Sequence, residues 1–295
     1  MKVPFLYDLA GTIRGLTPVQ GDISIAVGAR QAWFATRTPS GPGTLRFELA
    51  GGDLSWEAYG PGADWLLERA DAIAGLRDDL TGFGELAVGH PVVHRLAREH
   101  PGLRFGATGR VFQPLLAAIL GQKVTGREAH SGYVRILRKF SEPAPGPRPG
   151  LYLPPEPEVI AAQPYYVFHP LGVEQKRADT LRRAAAQAAA LERCADAAAC
   201  TARLVSIAGI GPWTAAEVTR VAYGDADAVS VGDYHIKNHV TFALTGAARG
   251  TDEHMLELLA PFAPHRGRVC GLIARAGIAA PRFGPRMPIR SFARF

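Results

Sequence analysis

The sequence predicts an α+β chain in which a small antiparallel sheet domain precedes a mainly α-helical core. Three observations lead there. Residues 1–85 hold short β-branched and aromatic runs divided by Gly/Pro turns such as PSGPG. From residue 90 onward apolar residues recur at helical spacing almost throughout. Charge divides at nearly the same place: residues 1–100 carry 9 Lys/Arg against 12 Asp/Glu, and residues 101–295 carry 24 against 15.

The elements follow in order. ISIAV (23–27), AWFATR (32–37) and TLRFELAGGDLSWEAYG (44–60) read as strands, and WLLERADAIAGL (65–76) as a helix laid across them. The expected boundary is at 85, with a helical core of two subdomains over 86–295. Its helical stretches are HPVVHRLAREH (90–100), VFQPLLAAILGQKVTGREAHSGYVRILRKF (111–140), KRADTLRRAAAQAAALERC (176–194), a pair meeting within 204–217, and DEHMLELLAPFAPHRGRVCGLIARAG (252–277). Residues 141–157, SEPAPGPRPGLYLPPEP, hold seven prolines and cannot continue a helix, so they read as a connector. The last sixteen residues carry four Arg and no acid, which suits either a phosphate contact or a solvated surface segment.

Length and composition bound the function. A chain of 295 residues exceeds one compact core, so two or three packed subdomains are expected. Its first residues are too short an apolar run for a secretory signal and no segment approaches membrane-spanning length, which predicts a cytoplasmic protein. Cys194, Cys200 and Cys270 match no zinc or iron–sulfur spacing and read as buried apolar residues. The net charge of +6 resides in the second part, where it suits a polyanion binder.

Two stretches hold candidate chemistry. In LVSIAGIGPWTA (204–215) two helices meet at Gly209-Ile210-Gly211, where glycines permit positive φ and close backbone approach. A helix starting after Gly211 would aim unpaired N–H groups outward and offer a phosphate site; an ordinary Gly-closed turn is the alternative. In VSVGDYHIK (229–237), Asp233 is either an N-cap for the following helix or a carboxylate facing a strand held by the hairpin.

Those two stretches, with LLAAILGQKVT (115–125), resemble the helix-hairpin-helix DNA glycosylase superfamily, and the sheet domain makes the chain most similar to bacterial 3-methyladenine DNA glycosylase II. The resemblance implies a repair enzyme that flips a damaged, alkylated base from double-stranded DNA and cuts its N-glycosidic bond, acting as a nucleoid-associated monomer without an iron–sulfur cluster or required cofactor. It implies Asp233 as catalytic, and Gly209, Ile210, Gly211 and Thr214 as DNA-binding. It places Gln122 and Lys123 at the loop that fills the gap left by the flipped base, with phosphate contact the alternative for Lys123. Trp213, Tyr234 and Tyr166 would line the base pocket, Tyr165 beside them, although Trp213 could equally anchor its helix. His235 suits either catalysis or helix packing. Carbonyls of Val205, Ile207 and Ile210 would hold a Na⁺ or K⁺ ion.

A carboxylate beside the sugar stabilises the positive charge that builds as the bond breaks. Some members of the superfamily also cleave the strand through a lysine Schiff base, and that position here is Trp213, which implies hydrolysis without lyase activity. The chain departs from the alkylbase pattern near its C-terminus: Ala274 and Arg275 stand where a stacking aromatic is expected. Two alternatives stay open, a non-catalytic protein that binds damaged DNA, and a glycosylase for an oxidised or deaminated base.

Overall fold

The computed structural model describes residues 1–4 and 6–281. After α1 (Leu9–Arg14), four strands form an antiparallel meander in sequence order: β1 (Ile25–Val27), β2 (Gln31–Thr38), β3 (Gly41–Ala50) and β4 (Asp53–Tyr59). The stretch read as one run over 44–60 is the β3–β4 hairpin, because Gly51 (φ 59°) and Gly52 (φ 83°) supply the two positive φ angles that a tight hairpin turn requires. The helix expected over 65–76 is two pieces, α2 (Ala63–Leu67) and α3 (Ala70–Ile73). Arg69 leaves the helical region between them (φ −118°, ψ 4°), and Leu66, Ala70 and Ile73 are all buried against the sheet.

The helical part follows: α4 (Phe83–Val88), α5 (Pro91–Glu99), α6 (Phe112–Gly121), α7 (Gly126–Phe140), α8 (Pro157–Ala162), α9 (Gln175–Ala186), α10 (Ala188–Leu191), α11 (Ala197–Val205), α12 (Pro212–Ala222), α13 (Ile236–Thr245), α14 (Asp252–Leu259) and α15 (Arg266–Arg275). A 3₁₀ segment, Tyr165–Leu171, precedes α9. Three apolar cores result. One lies under the sheet, from Tyr7 to Ala74; one surrounds α6, which is buried from Phe112 through Leu120, and gathers α7 to α12; the third joins α4 and α5 to α13, α14 and α15. The third is discontinuous in sequence, and α4 straddles residue 85 while packing with it.

The sheet is not peripheral. Ala32 to Thr36 of β2 are buried on both faces, and Gln113 of α6 donates to Ser24 Oγ (3.0 Å) and to the Ala35 carbonyl (3.2 Å). Residues 141–157 form the expected connector. Arg37 of β2 pins it, donating to the Pro154 carbonyl at 2.7 Å and pairing with Glu142 (3.1 Å) and Glu156 (2.6 Å). Of the Arg-rich C-terminal segment, residues 282–295 lie outside the described residues.

Candidate active site

The hairpin between α11 and α12 is built by apolar pins and one obligatory glycine. Ile207 and Ile210 are buried in the α6 core, and the Ile210 N–H closes the turn on the Ile207 carbonyl at 2.9 Å. Gly209 has φ 98°, and a Cβ there would stand 2.2 Å from Thr180 Oγ1, so no larger residue fits. Gly211 differs: its φ is −114° and a Cβ would meet nothing within 4 Å. Among the described residues, nothing requires glycine at 211. The first hydrogen bond of α12 runs from Ala215 N–H to the Gly211 carbonyl (3.1 Å), and Pro212 has no N–H, which leaves those of Trp213 and Thr214 at the open helix end.

Two side chains brace this turn from neighbouring helices. Arg183 of α9 donates to the Ala208 carbonyl (3.1 Å) and to Thr180 Oγ1 (3.2 Å). Gln122, just past α6, donates from one amide nitrogen to the Gly209 carbonyl (3.0 Å) and to Thr214 Oγ1 (2.9 Å). The amide of Gln122 is thus engaged with the hairpin. Thr214 is 2% exposed and its hydroxyl accepts from Gln122, which leaves its backbone N–H as the group that a strand could reach. Lys123 is exposed and holds φ 53°, a left-handed conformation uncommon for a side-chain-bearing residue.

Asp233 stands in the turn before α13, and its two oxygens do different work. Oδ1 accepts the backbone N–H groups of His235 (2.7 Å) and Ile236 (2.8 Å), which satisfies the first turn of α13 as an N-cap would. Oδ2 accepts the indole N–H of Trp213 at 3.1 Å. A carboxylate offers about four acceptor positions. Three are filled, and the one left is on Oδ2. Trp213 packs along the edge of the α6 core while its ring nitrogen reaches the carboxylate, and a Cβ on Gly121 would lie 3.4 Å from the ring.

The loop that carries Asp233 is anchored on three sides. Ser230 Oγ donates to Glu217 of α12, which also pairs with Arg220 (3.0 Å). Asp252 of α14 accepts the Gly232 N–H (3.0 Å) and pairs with Lys237 (2.9 Å). Burial alone would push the Asp252 carboxyl up, but the Gly232 N–H and Lys237 outweigh it and hold it below the ordinary value. Asp227 pairs with Arg266 of α15, and the Arg268 N–H donates to the Ala226 carbonyl at 2.8 Å. Sequence reasoning missed Arg183, Glu217 and Asp252. Glu217 had a readable signal, since it stands four residues after Trp213 on one helix face.

Tyr234 is 77% exposed, with its ring edge-on to His235 at 4.9 Å, and His235 tilts against His239 at 5.7 Å. Tyr166 is 60% exposed and meets Tyr165 edge-on at 5.9 Å. Ala274 and Arg275 end α15, and Arg275 contacts Asp8 rather than a cavity. Burial pushes the thiols of Cys200 and Cys270 up to about 12, which removes them as nucleophiles. An alkali cation takes hard neutral oxygens such as carbonyls. The Ile207 carbonyl accepts the Ile210 N–H, and those of Ala208 and Gly209 accept Arg183 and Gln122, so each keeps a second lone pair. A set of Val205, Ile207 and Ile210 carbonyls is chemically suited to such an ion.

No family model and no curated protein matches the sequence. Solved structures do. The 3-methyladenine DNA glycosylase from Archaeoglobus fulgidus superposes with a TM-score of 0.77 at 15% identity, over 94% of this chain and 97% of that one. A Clostridium acetobutylicum 8-oxoguanine glycosylase/lyase in complex with double-stranded DNA gives 0.63 at 13% identity, over 86% and 98%. A Schizosaccharomyces pombe 3-methyladenine DNA glycosylase in complex with abasic DNA gives 0.56 at 18%, over 69% and 100%. At these identities the likeness is one of fold: the chain has the fold of these DNA glycosylases.

Proposed function

We propose that the protein is a monofunctional DNA glycosylase that flips an alkylated base out of duplex DNA and hydrolyses its N-glycosidic bond at Asp233. The observation that carries this reading is the Asp233 carboxylate, held by three N–H donors with one acceptor position open, and tied to the hairpin through Trp213. A DNA strand held by the N–H groups at the start of α12 brings its sugar toward that carboxylate. As the bond breaks, positive charge on the sugar is met by fixed negative charge that needs no reorganisation. The open position on Oδ2 can then accept a proton from the attacking water. An N-alkylated base is already cationic and leaves without a general acid.

Trp213 stands where a Schiff-base lysine would be needed, which supports hydrolysis without strand cleavage. A Na⁺ or K⁺ ion on the carbonyls of Val205, Ile207 and Ile210 would add positive charge facing the strand. The retained, positioned carboxylate argues against a protein that only binds DNA. The lack of an aromatic at Ala274 and Arg275 favours a second reading, a pocket for an oxidised or deaminated base, since stacking on an electron-rich ring selects cationic bases.

Duplexes carrying single lesions test both readings. Release of free 3-methyladenine, with strand breaks only after alkali, is the expected result. Release of 8-oxoguanine or uracil alone would establish the second reading, and no release from any duplex would overturn both.

A further inference from the structure

Outside the hairpin and the Asp233 loop, α4, α5, α15 and the segment after α5 enclose a surface cavity of about 350 Å³. Its walls are apolar: Leu80, Phe83, Ala87, Ala97, Leu103 and Leu272. All its ionisable lining residues are basic. His94 and Arg98 stand one turn apart on α5, and His100, Arg104 and Arg268 complete the set, while no Asp or Glu is among the described residues that line it.

These basic groups are not equivalent. Arg268 is fully buried and spent, donating to Asp78 at 3.0 and 2.6 Å and to His265 at 3.3 Å. Arg104 has only backbone carbonyls, those of Pro101 (2.9 Å) and Leu103 (2.8 Å), and no carboxylate within ion-pair distance. Burial holds its guanidinium below the ordinary value; the Asp78 carboxylate, itself bonded to Arg268, offsets this only in part and the Arg268 charge adds to it, so an anion arriving beside Arg104 relieves an existing cost. Arg98 is exposed, and the ion pair on its face of α5 is made by Arg95 with Glu99 instead.

We propose that this cavity is a docking site for an acidic peptide segment of a partner protein, which places one large apolar side chain against Phe83, Ala87 and Leu272 and its carboxylates against Arg98 and Arg104. The apolar walls discriminate against a bare phosphate backbone, which has nothing to fill them. The chain's own last sixteen residues carry four Arg and no Asp or Glu, so they lack the acidic side chains that this lining takes. Unlike the hairpin, the site answers to carboxylates and an apolar group together.

The test uses the full-length protein and a fluorescein-labelled Asp-Asp-Asp-Phe peptide followed by polarisation. Binding should weaken about tenfold or more in Arg98→Glu, because a charge reversal at the rim turns attraction into repulsion. Gly84→Leu is the second variant: a Cβ there meets nothing within 4 Å, so the side chain enters the cavity without disturbing α4, and binding should be lost. Replacing Phe by Ser in the peptide, or Asp by Lys, should also abolish binding, while both protein variants keep normal affinity for duplex DNA. Equal binding by wild type and Arg98→Glu, or no binding by wild type, would overturn the proposal. So would a parallel loss of DNA affinity, which would assign the rim to the DNA face, or 3-phenylpropionate binding as tightly as the peptide, which would make this a small-anion site.

Discussion

The indole N–H of Trp213 donates to Oδ2 of Asp233 at 3.1 Å, so the second residue of the hairpin helix sets the orientation of a carboxylate twenty positions further on. The hairpin that would hold a phosphate and the carboxylate that would face the sugar are thereby one rigid unit. Their separation does not depend on a flexible loop, and each can be perturbed without the other.

Asp233→Asn removes the charge but nearly preserves the shape. Base release should fall at least a hundredfold, which corresponds to about 3 kcal/mol of lost transition-state stabilisation. Asn can accept the His235 and Ile236 N–H groups with its oxygen only by turning its NH₂ toward the Trp213 N–H, so a modest loss of Tm accompanies the change. Duplex affinity should hold or rise, because a negative charge leaves the phosphate face. Single-turnover base release and a binding isotherm check both halves, and near-normal turnover would remove Asp233 from the mechanism.

Trp213→Phe keeps the ring and deletes the N–H. A hydrogen bond of about 1.5 kcal/mol that holds the carboxylate in its reactive orientation is worth roughly tenfold in rate, because without it that orientation must be regained on the way to the transition state. Single-turnover rate should drop by about that factor with duplex affinity unchanged, whereas a residue that only packed would alter Tm and leave the rate alone.

The two hairpin glycines should part company. Gly209→Ala forces a Cβ into Thr180 Oγ1 at a positive φ, and should destabilise the fold by about 2 kcal/mol or more. A Cβ at Gly211 meets no described atom within 4 Å, so Gly211→Val should leave Tm unchanged while duplex binding and base release fall together, the new side chain standing where a phosphate would approach. Normal binding by Gly211→Val would show that the hairpin does not hold DNA.

How much of this was legible beforehand follows from the range of each interaction. The strand-to-helix order and the hairpin are local: alternation, helical periodicity and two glycines within three residues reveal them. The burial of Thr214 was also legible, since it lies four and seven residues before the buried Val218 and Val221 on one helix face. The Trp213–Asp233 bond was not legible. It depends on the path of residues 223–232, which is set by Asp227 on Arg266, Ser230 on Glu217 and Gly232 on Asp252, partners that a local pattern does not pair. The break at Arg69 was missed for the same reason: α2 and α3 each turn an apolar side to the sheet, and that packing outweighs helix continuity.

Salt dependence reads the basic surface. Undamaged duplex should bind with affinity falling by about one power of salt concentration per phosphate contact. Arg183 braces the hairpin through its Nε, bonds Thr180 of its own helix through one Nη, and is exposed, so Arg183→Gln should flatten the slope by about one contact while leaving single-turnover rate at saturating DNA unchanged. An unchanged slope would confine Arg183 to a structural role.

Borohydride trapping tests the absence of a Schiff-base nucleophile. The chain has five lysines, Lys2, Lys123, Lys139, Lys176 and Lys237, and Trp213 occupies the position after the hairpin where a nucleophilic lysine would stand. Lys237 is the nearest in sequence to Asp233, but its ammonium is paired with Asp252 at 2.9 Å and is engaged there rather than at the sugar. Reduction during base release should therefore trap no covalent protein–DNA adduct, and product strands should stay intact until alkali is added. If an adduct does form, Lys237→Gln and Lys123→Gln locate it. Loss of trapping in the first would mean that the Asp252 pair opens during the reaction, and the assignment of a purely hydrolytic mechanism would be wrong.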